Sequence, residues 1–233
     1  MKEKLYTIPL NDAVNAGDAC PFCYIERNVE QDLMDFVLGS CASYMESDVR
    51  EDTDREGFCR THMKKMVDYG NTLGNGWILK TYYKKLLSEM DGEFRHFRPQ
   101  KQSMGDKLRK IAPKNSVADW VQKKESTCYI CDRFQKEYER YLDTFFYLYE
   151  KDPDFKARIA KSKGFCLHHF GELCSSADTR LSEKEKETFF PEIFEIMQKN
   201  MERMSADVDW LIEKFDYQNK DADWKNSKDA IQR

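Results

Sequence analysis

The chain has 233 residues, 40% of them apolar and 13% aromatic, which suits one large or two small globular domains and is too apolar for disorder. A formal net charge of −4 gives neither nucleic acid nor an anionic membrane a general footing, and no run approaches 18 apolar residues. Only 10 Gly and 6 Pro beside 34% charged residues point to an all-α chain with solvated helix faces.

In chain order, MKEKLYTIPLNDAV is basic at first but lacks a continuous apolar run before Asp12, so it does not read as a signal peptide. The expected compartment is the cytoplasm, where eight cysteines suggest metal ligation or redox chemistry more than a disulfide framework. Cys20-Pro-Phe-Cys23 comes first, and Ile25, Val29, Leu33 and Phe36 or Val37 then recur at helical spacing. The acidic stretch 46–56, ESDVREDTDRE, reads as a charged loop that faces the basic connector further on. Gly57-Phe-Cys59-Arg-Thr-His62 follows, then Gly74-Asn75-Gly76 as a loop or helix break, then a helical stripe of Leu79, Tyr83, Leu86 and Met90.

Residues 95–114 carry seven Lys or Arg against the single acid Asp106, a local net of +6, and read as a solvated linker. After it come Cys128-Tyr-Ile-Cys131, a helix marked by Phe134, Tyr138, Tyr141, Phe145 and Tyr149, and Gly164-Phe-Cys166-Leu-His-His169. Ser182 and Glu185 form a capping box for one long helix, which Pro191 is expected to bend. Its seam is Phe190, Phe194, Met197, Met201, Met204, Val208, Leu211 and Phe215, read as core packing. The polar tail from Gln218 is expected to fray.

An internal repeat organises the chain. The cysteine pairs are offset by 108 positions (Cys20 to Cys128) and the Gly-Phe-Cys-x-x-His motifs by 107 (Cys59 to Cys166). The expected organisation is two metal-binding helical units, 1–94 and 118–217, joined by a basic connector at 95–117 and ending in a tail at 218–233. Taken repeat by repeat, the ligand sets are Cys20, Cys23, Cys59, His62 and Cys128, Cys131, Cys166, His169. Zinc takes four soft or borderline ligands in a tetrahedron, and Cys3His is a standard set, so two zinc ions per chain are expected. Cys-x-x-Cys lets two thiolates reach one ion from a tight turn, and Cys-x-x-His at a helix start puts both side chains on one face. The Gly before Phe-Cys permits the unusual backbone angles of such a turn.

Cys41 and Cys174 have no counterparts in the repeat and read as small buried residues, although Cys174 lies close enough to Cys166 to compete as a ligand. His168 adjoins His169 and is the alternative or supporting imidazole there, while His96 is expected to be exposed. CPFC also resembles a glutaredoxin-type dithiol, but that site needs a strand-to-helix junction, and no strand pattern appears. Gly-x-Ser-x-Gly, His-Glu-x-x-His and Walker motifs are absent.

The segments EKLYTIPLNDAV, CPFC, YMESDVR, GFCRTH, CYIC, GFCLHHF and NSKDAIQR together resemble a domain-of-unknown-function family of anaerobic Firmicutes, over the whole chain. The resemblance implies a cytoplasmic bacterial protein. In an anaerobe it also opens an alternative cofactor, an iron–sulfur cluster on the same thiolates. The leading expectation is a non-enzymatic zinc protein that binds a protein or small-molecule partner or acts as a regulator. An iron–sulfur redox or sensor protein is the rival, and an enzyme with a pocket between the two units is the third reading.

Overall fold

The computed structural model describes residues 5–99 and 115–232; the rest of the basic connector lies outside the described residues. Among those residues there are ten α-helices and no strands. They are α1 (Thr7–Asn15), α2 (Pro21–Leu38), α3 (Ser47–Glu56), α4 (Arg60–Asp68), α5 (Thr72–His96), α6 (Ser116–Glu125), α7 (Tyr129–Lys151), α8 (Pro153–Lys161), α9 (Leu167–Arg180) and α10 (Glu183–Glu213). No helix among the described residues is long and apolar enough to cross a membrane.

The helices gather into two compact units, one of residues 1–28 and 137–233, the other of residues 29–136. Both boundaries fall inside helices, α2 and α7, so the units differ from the consecutive segments 1–94 and 118–217. The first unit is built on aromatic rings. Phe145 lies 5.3 Å from Phe22, 5.8 Å from Phe155 and 6.3 Å from Phe165, and Tyr149 lies 5.2 Å from Phe189. Phe22, Phe145, Phe155, Phe165 and Phe189 are all fully buried, so each removes a large apolar area from water. In the second unit Met34, Val37, Leu38, Val49, Met66, Ile78, Tyr129 and Ile130 form the core.

Several expectations about elements need correction. The acidic stretch 46–56 is mostly helix α3, because Val49 and Thr53, four apart, give it a buried face. Its acids face Arg133, which reaches Asp52 at 2.5 Å and Glu56 at 2.7 Å while its guanidinium lies 3.5 Å over the Tyr129 ring. Gly74-Asn75-Gly76 lies in the first turns of α5 and breaks nothing. Asn71 caps that helix through the Gly74 amide, and a Cβ on Gly74 would come within 3.0 Å of both Asn71 and Tyr44.

The capping box Ser182–Glu185 forms, with Glu185 accepting from the Ser182 amide at 2.7 Å, and Pro191 sits within an uninterrupted α10. The buried seam of α10 is Phe189, Ile193, Ile196, Met197 and Asn200, whereas Phe194, Met201 and Phe215 are exposed. Met197 of the expected seam is buried and Met204, Val208 and Leu211 are half-buried, but toward its N-terminus the face lies one position off, because adjacent aromatics at 189 and 190 satisfy the same periodicity. The expected frayed tail folds back on α10. Trp210 donates to the Asp223 carbonyl at 3.0 Å, Phe215 meets Trp224 edge-on at 6.1 Å, and Ser227 and Ala230 are buried.

Candidate metal centres

Four helices start at a cysteine of the repeat. Cys20 precedes α2, Cys59 precedes α4, Cys128 precedes α7 and Cys166 precedes α9. The caps of α4 and α9 are nearly superposable, with φ and ψ of −69° and 166° at Cys59 and −71° and 163° at Cys166. Two residues upstream of each cap, Gly57 and Gly164 have φ of +66° and +92°, the left-handed turn the motif was expected to need. A Cβ at Gly57 would meet the Tyr82 ring at 2.8 Å, and one at Gly164 would meet Asn200 at 2.8 Å.

The structure brings all eight residues into two clusters, but not repeat by repeat. Cys20 and Cys23 meet Cys166 and His169, whereas Cys59 and His62 meet Cys128 and Cys131; within each set the ligand atoms lie within 4.8 Å of one another. Each cysteine pair thus joins the Gly-Phe-Cys-x-x-His motif of the other repeat, which corrects the expected quartets. After α2 the chain turns back, and the first motif comes to rest against Glu30, seven residues past Cys23, where His62 pairs at 2.9 Å. In the second unit the exchanged register is tied directly, since the Tyr129 amide donates to the Gly57 carbonyl at 2.9 Å and Thr127 donates to the Glu56 carbonyl at 2.8 Å.

In the first unit, His169 Nδ1 lies 3.5, 3.4 and 3.0 Å from the Sγ atoms of Cys20, Cys23 and Cys166, and Cys23 Sγ lies 3.7 Å from Cys166 Sγ. In the second, His62 Nδ1 lies 3.3 Å from each of Cys59, Cys128 and Cys131, and Cys59 Sγ lies 3.9 Å from Cys131 Sγ. Both imidazoles present Nδ1 and are buried, His169 at 1% exposure. His169 is held between the Phe22 ring at 5.7 Å and the Tyr138 ring at 6.0 Å.

The outer nitrogens face carboxylates that the sequence reading did not single out. His62 Nε2 is 2.9 Å from Glu30, which also pairs with Lys65, and His169 Nε2 is 3.3 Å from Glu26. A carboxylate behind a ligating imidazole fixes its tautomer and orientation. Spacing held the signal: Cys23, Glu26 and Glu30 follow one another by three and four along α2, and so share one helix face. Glu172 stands further out, 4.0 Å from His169 Nε2, and accepts from Tyr138 at 2.8 Å.

Without a cation each cluster is electrostatically frustrated. Burial pushes the Cys20 thiol up, but hydrogen bonds from the His169 ring and the Cys166 and Cys23 amides outweigh it, and the net shift is downward. Cys23 is pushed well above the thiol range by burial and by the neighbouring Cys20 and Cys166. In the second cluster burial instead raises Cys128, the counterpart of Cys20. Cys59 is lowered, as the His62 amide and the other two thiols overcome burial, while burial and its thiol neighbours push Cys131 up to about 12. Burial disfavours the imidazolium of His169, yet Cys20 and Glu26 raise it to about 10. Deprotonating all three thiols of a cluster would call for a positive charge among them, the role for which a metal ion is suited.

The remaining candidates fall outside both clusters. Cys41 is exposed and Cys174 half-buried, so neither is the small buried residue expected, and Cys174 does not displace His169. His168 points out, 3.6 Å from Glu172, and lies within ligand distance of Glu26 and His169 without entering the thiolate set. His96 is exposed and bonds the Gly92 carbonyl at 2.7 Å.

These features define an all-helical protein with two Cys3His clusters suited to metal ions. The chain matches, over residues 1–233, the family described as a family of unknown function (DUF6062), and it belongs to that family. Searches of curated proteins and of solved structures found no match.

Proposed function

We propose that each cluster is a closed, mononuclear zinc site that fastens two helix N-termini, in a non-enzymatic protein that binds a partner or regulates one. The observation that carries the reading is the ligand spacing. A tetrahedron with zinc–sulfur bonds of about 2.3 Å and zinc–nitrogen bonds of about 2.0–2.1 Å has sulfur–sulfur edges of about 3.8 Å and sulfur–nitrogen edges of about 3.5 Å. The separations of 3.7 and 3.9 Å, and of 3.0–3.5 Å, match those edges. An iron–sulfur cluster distributes its cysteines over several irons, so it favours a wider set than atoms all within 4.8 Å of one another. The N-termini of α2 and α9, and of α4 and α7, add their free amides and dipoles to the thiolates. Four protein ligands leave no position for water, which speaks against metal-assisted hydrolysis. Eight unpaired cysteines suit a reducing, cytoplasmic setting.

Elemental analysis of anaerobically purified protein tests this reading, with two zinc per colourless chain expected. Brown protein with acid-labile sulfide would overturn zinc in favour of the redox alternative, and metal-free protein would overturn both. Paired substitutions test the grouping. Cys20→Ser with Cys166→Ser should remove one equivalent, and Cys20→Ser with Cys59→Ser should remove two. The opposite result would restore the repeat-by-repeat quartets.

A further inference from the structure

The second unit contains a cleft of about 690 Å³ walled by α4, α5 and α6. Its apolar lining is Phe58, Tyr82, Leu86, Met90, Trp120 and Val121, three rings among them. The volume falls in the range of small-molecule sites, whose walls are apolar with a few polar groups. The helix α6 has ten residues and buries none of them, although Val117, Trp120 and Val121 lie on one face by helical spacing. Ten residues are too few to hold a helix in water by themselves. What ties α6 down is polar, with Lys124 2.6 Å from Glu89 and 3.4 Å from the Arg55 carbonyl. Its apolar face is therefore left toward the cleft.

The polar groups around this lining are mostly unspent donors. The Arg60 guanidinium, the Thr61 and Tyr82 hydroxyls and the Trp120 indole N–H have no hydrogen-bond partner among the described residues. Burial, with Glu89 and Tyr83 nearby, pushes the Tyr82 hydroxyl up, which keeps it a donor. Among the charged lining residues Lys124 is spent on Glu89, which leaves Arg60 on one wall and Glu125 on α6, both exposed at the rim. A lining rich in rings and donors complements a flat ligand rich in acceptors. Arg60 in particular offers the planar fork that matches a carboxylate or sulfonate.

We propose that this cleft binds one small aromatic acid, its ring among Phe58, Tyr82 and Trp120 and its anionic group toward Arg60. The assignment stands on the cleft itself and does not depend on which metal the neighbouring Cys59 site holds.

The test uses the full-length, metal-loaded chain and 8-anilinonaphthalene-1-sulfonate, an aromatic sulfonate whose fluorescence rises on binding. One equivalent should bind, with energy transfer from tryptophan that falls in Trp120→Phe while Trp77 on α5 remains a donor. Leu86→Trp, which fills the cleft, should weaken binding at least tenfold, and Val121→Trp, at a half-open position on the other wall, should do the same if Leu86→Trp fails to fold. Arg60→Gln should weaken it about tenfold, as loss of a charge-assisted hydrogen bond does. Leu87→Ser, on the exposed part of α5, should leave it unchanged. Failure to bind, binding that survives both filling variants, or equal loss in Leu87→Ser would overturn the site. Loss in the filling variants with none in Arg60→Gln would overturn the anionic half of the assignment.

Discussion

Removing the carboxylate behind His62 should loosen the zinc proposed for the second cluster while leaving its four ligands in place. Glu30 Oε1 is 2.9 Å from His62 Nε2, and His62 Nδ1 is the atom that faces the three thiolates, so the carboxylate acts on the metal only through the ring. Outer-shell partners of this kind contribute about 10–100-fold to affinity, or about 1.4–2.7 kcal/mol. Glu30→Gln keeps an oxygen able to accept from Nε2–H and loses only the charge, so it belongs at the tenfold end. Glu30→Ala strands a buried N–H as well and belongs near the hundredfold end. At the first site Glu26 is 3.3 Å away and Glu172, at 4.0 Å, stands in reserve, so Glu26→Ala should cost less than Glu30→Ala. The assay is zinc transfer to a chromogenic chelator, with the other site emptied by a Cys→Ser pair so that one equivalent is followed at a time. The cobalt-substituted protein reports the same ligands through its visible bands, which should keep a tetrahedral position in all three variants. Affinity within twofold of the parent in Glu30→Ala would refute a positioning role. A changed cobalt spectrum would mean that the substitution had disturbed the ligand set.

Three further outcomes follow from the same geometry. Cys41→Ser and Cys174→Ser should each retain both metals, because neither sulfur lies in a cluster; loss of one equivalent by elemental analysis would place that cysteine in a site. Gly164→Ala forces a Cβ to within 2.8 Å of Asn200 at φ +92°, so it should destabilise the fold by about 1–3 kcal/mol and speed zinc loss from the Cys166 site, both readable by melting and chelator kinetics. Chelation under reducing conditions should lower the melting temperature on the order of 10 °C while far-UV circular dichroism stays largely helical, because two apolar cores remain; cooperative loss of helix at 25 °C would mean that the metals nucleate the fold.

The helices were legible in the sequence because their apolar spacing is regular, and the ligands because the same motif occurs twice. The outer carboxylates were legible in principle, since Glu26 and Glu30 fall on the Cys23 face of α2, but charged residues on a long helix are ordinarily solvent-facing and carry no mark of a buried partner. The α10 face was ambiguous for a local reason. Phe189 and Phe190 are equally apolar neighbours, and only the surroundings of Phe189, 5.4 Å from Phe146 and 5.2 Å from Tyr149, decide between them. The tail carried Trp224, Ala222 and Ala230 among polar residues, too sparse a pattern to announce a packed segment. Lys214 holds it by donating to the carbonyls of Asn219 and Lys220.

The exchange of partners between the repeats was the hardest feature to foresee, and chain entropy explains why. Pairing each motif with its own repeat closes a loop of 35 or 34 residues between the cysteine pair and the next ligand cysteine. The observed pairing instead spans 143 positions from Cys23 to Cys166 and 66 from His62 to Cys128. Each doubling of a loop costs only about 0.6 kcal/mol, so the two longer closures together add about 2 kcal/mol. Direct contacts between the motifs outweigh that difference. The Tyr129 amide on the Gly57 carbonyl and the Thr127 hydroxyl on the Glu56 carbonyl fix Cys128 beside Cys59, while Glu30 on α2 holds the outer nitrogen of His62. Sequence proximity therefore says little about which half-site meets which, and the hydrogen bonds that join the turns of two different motifs say more.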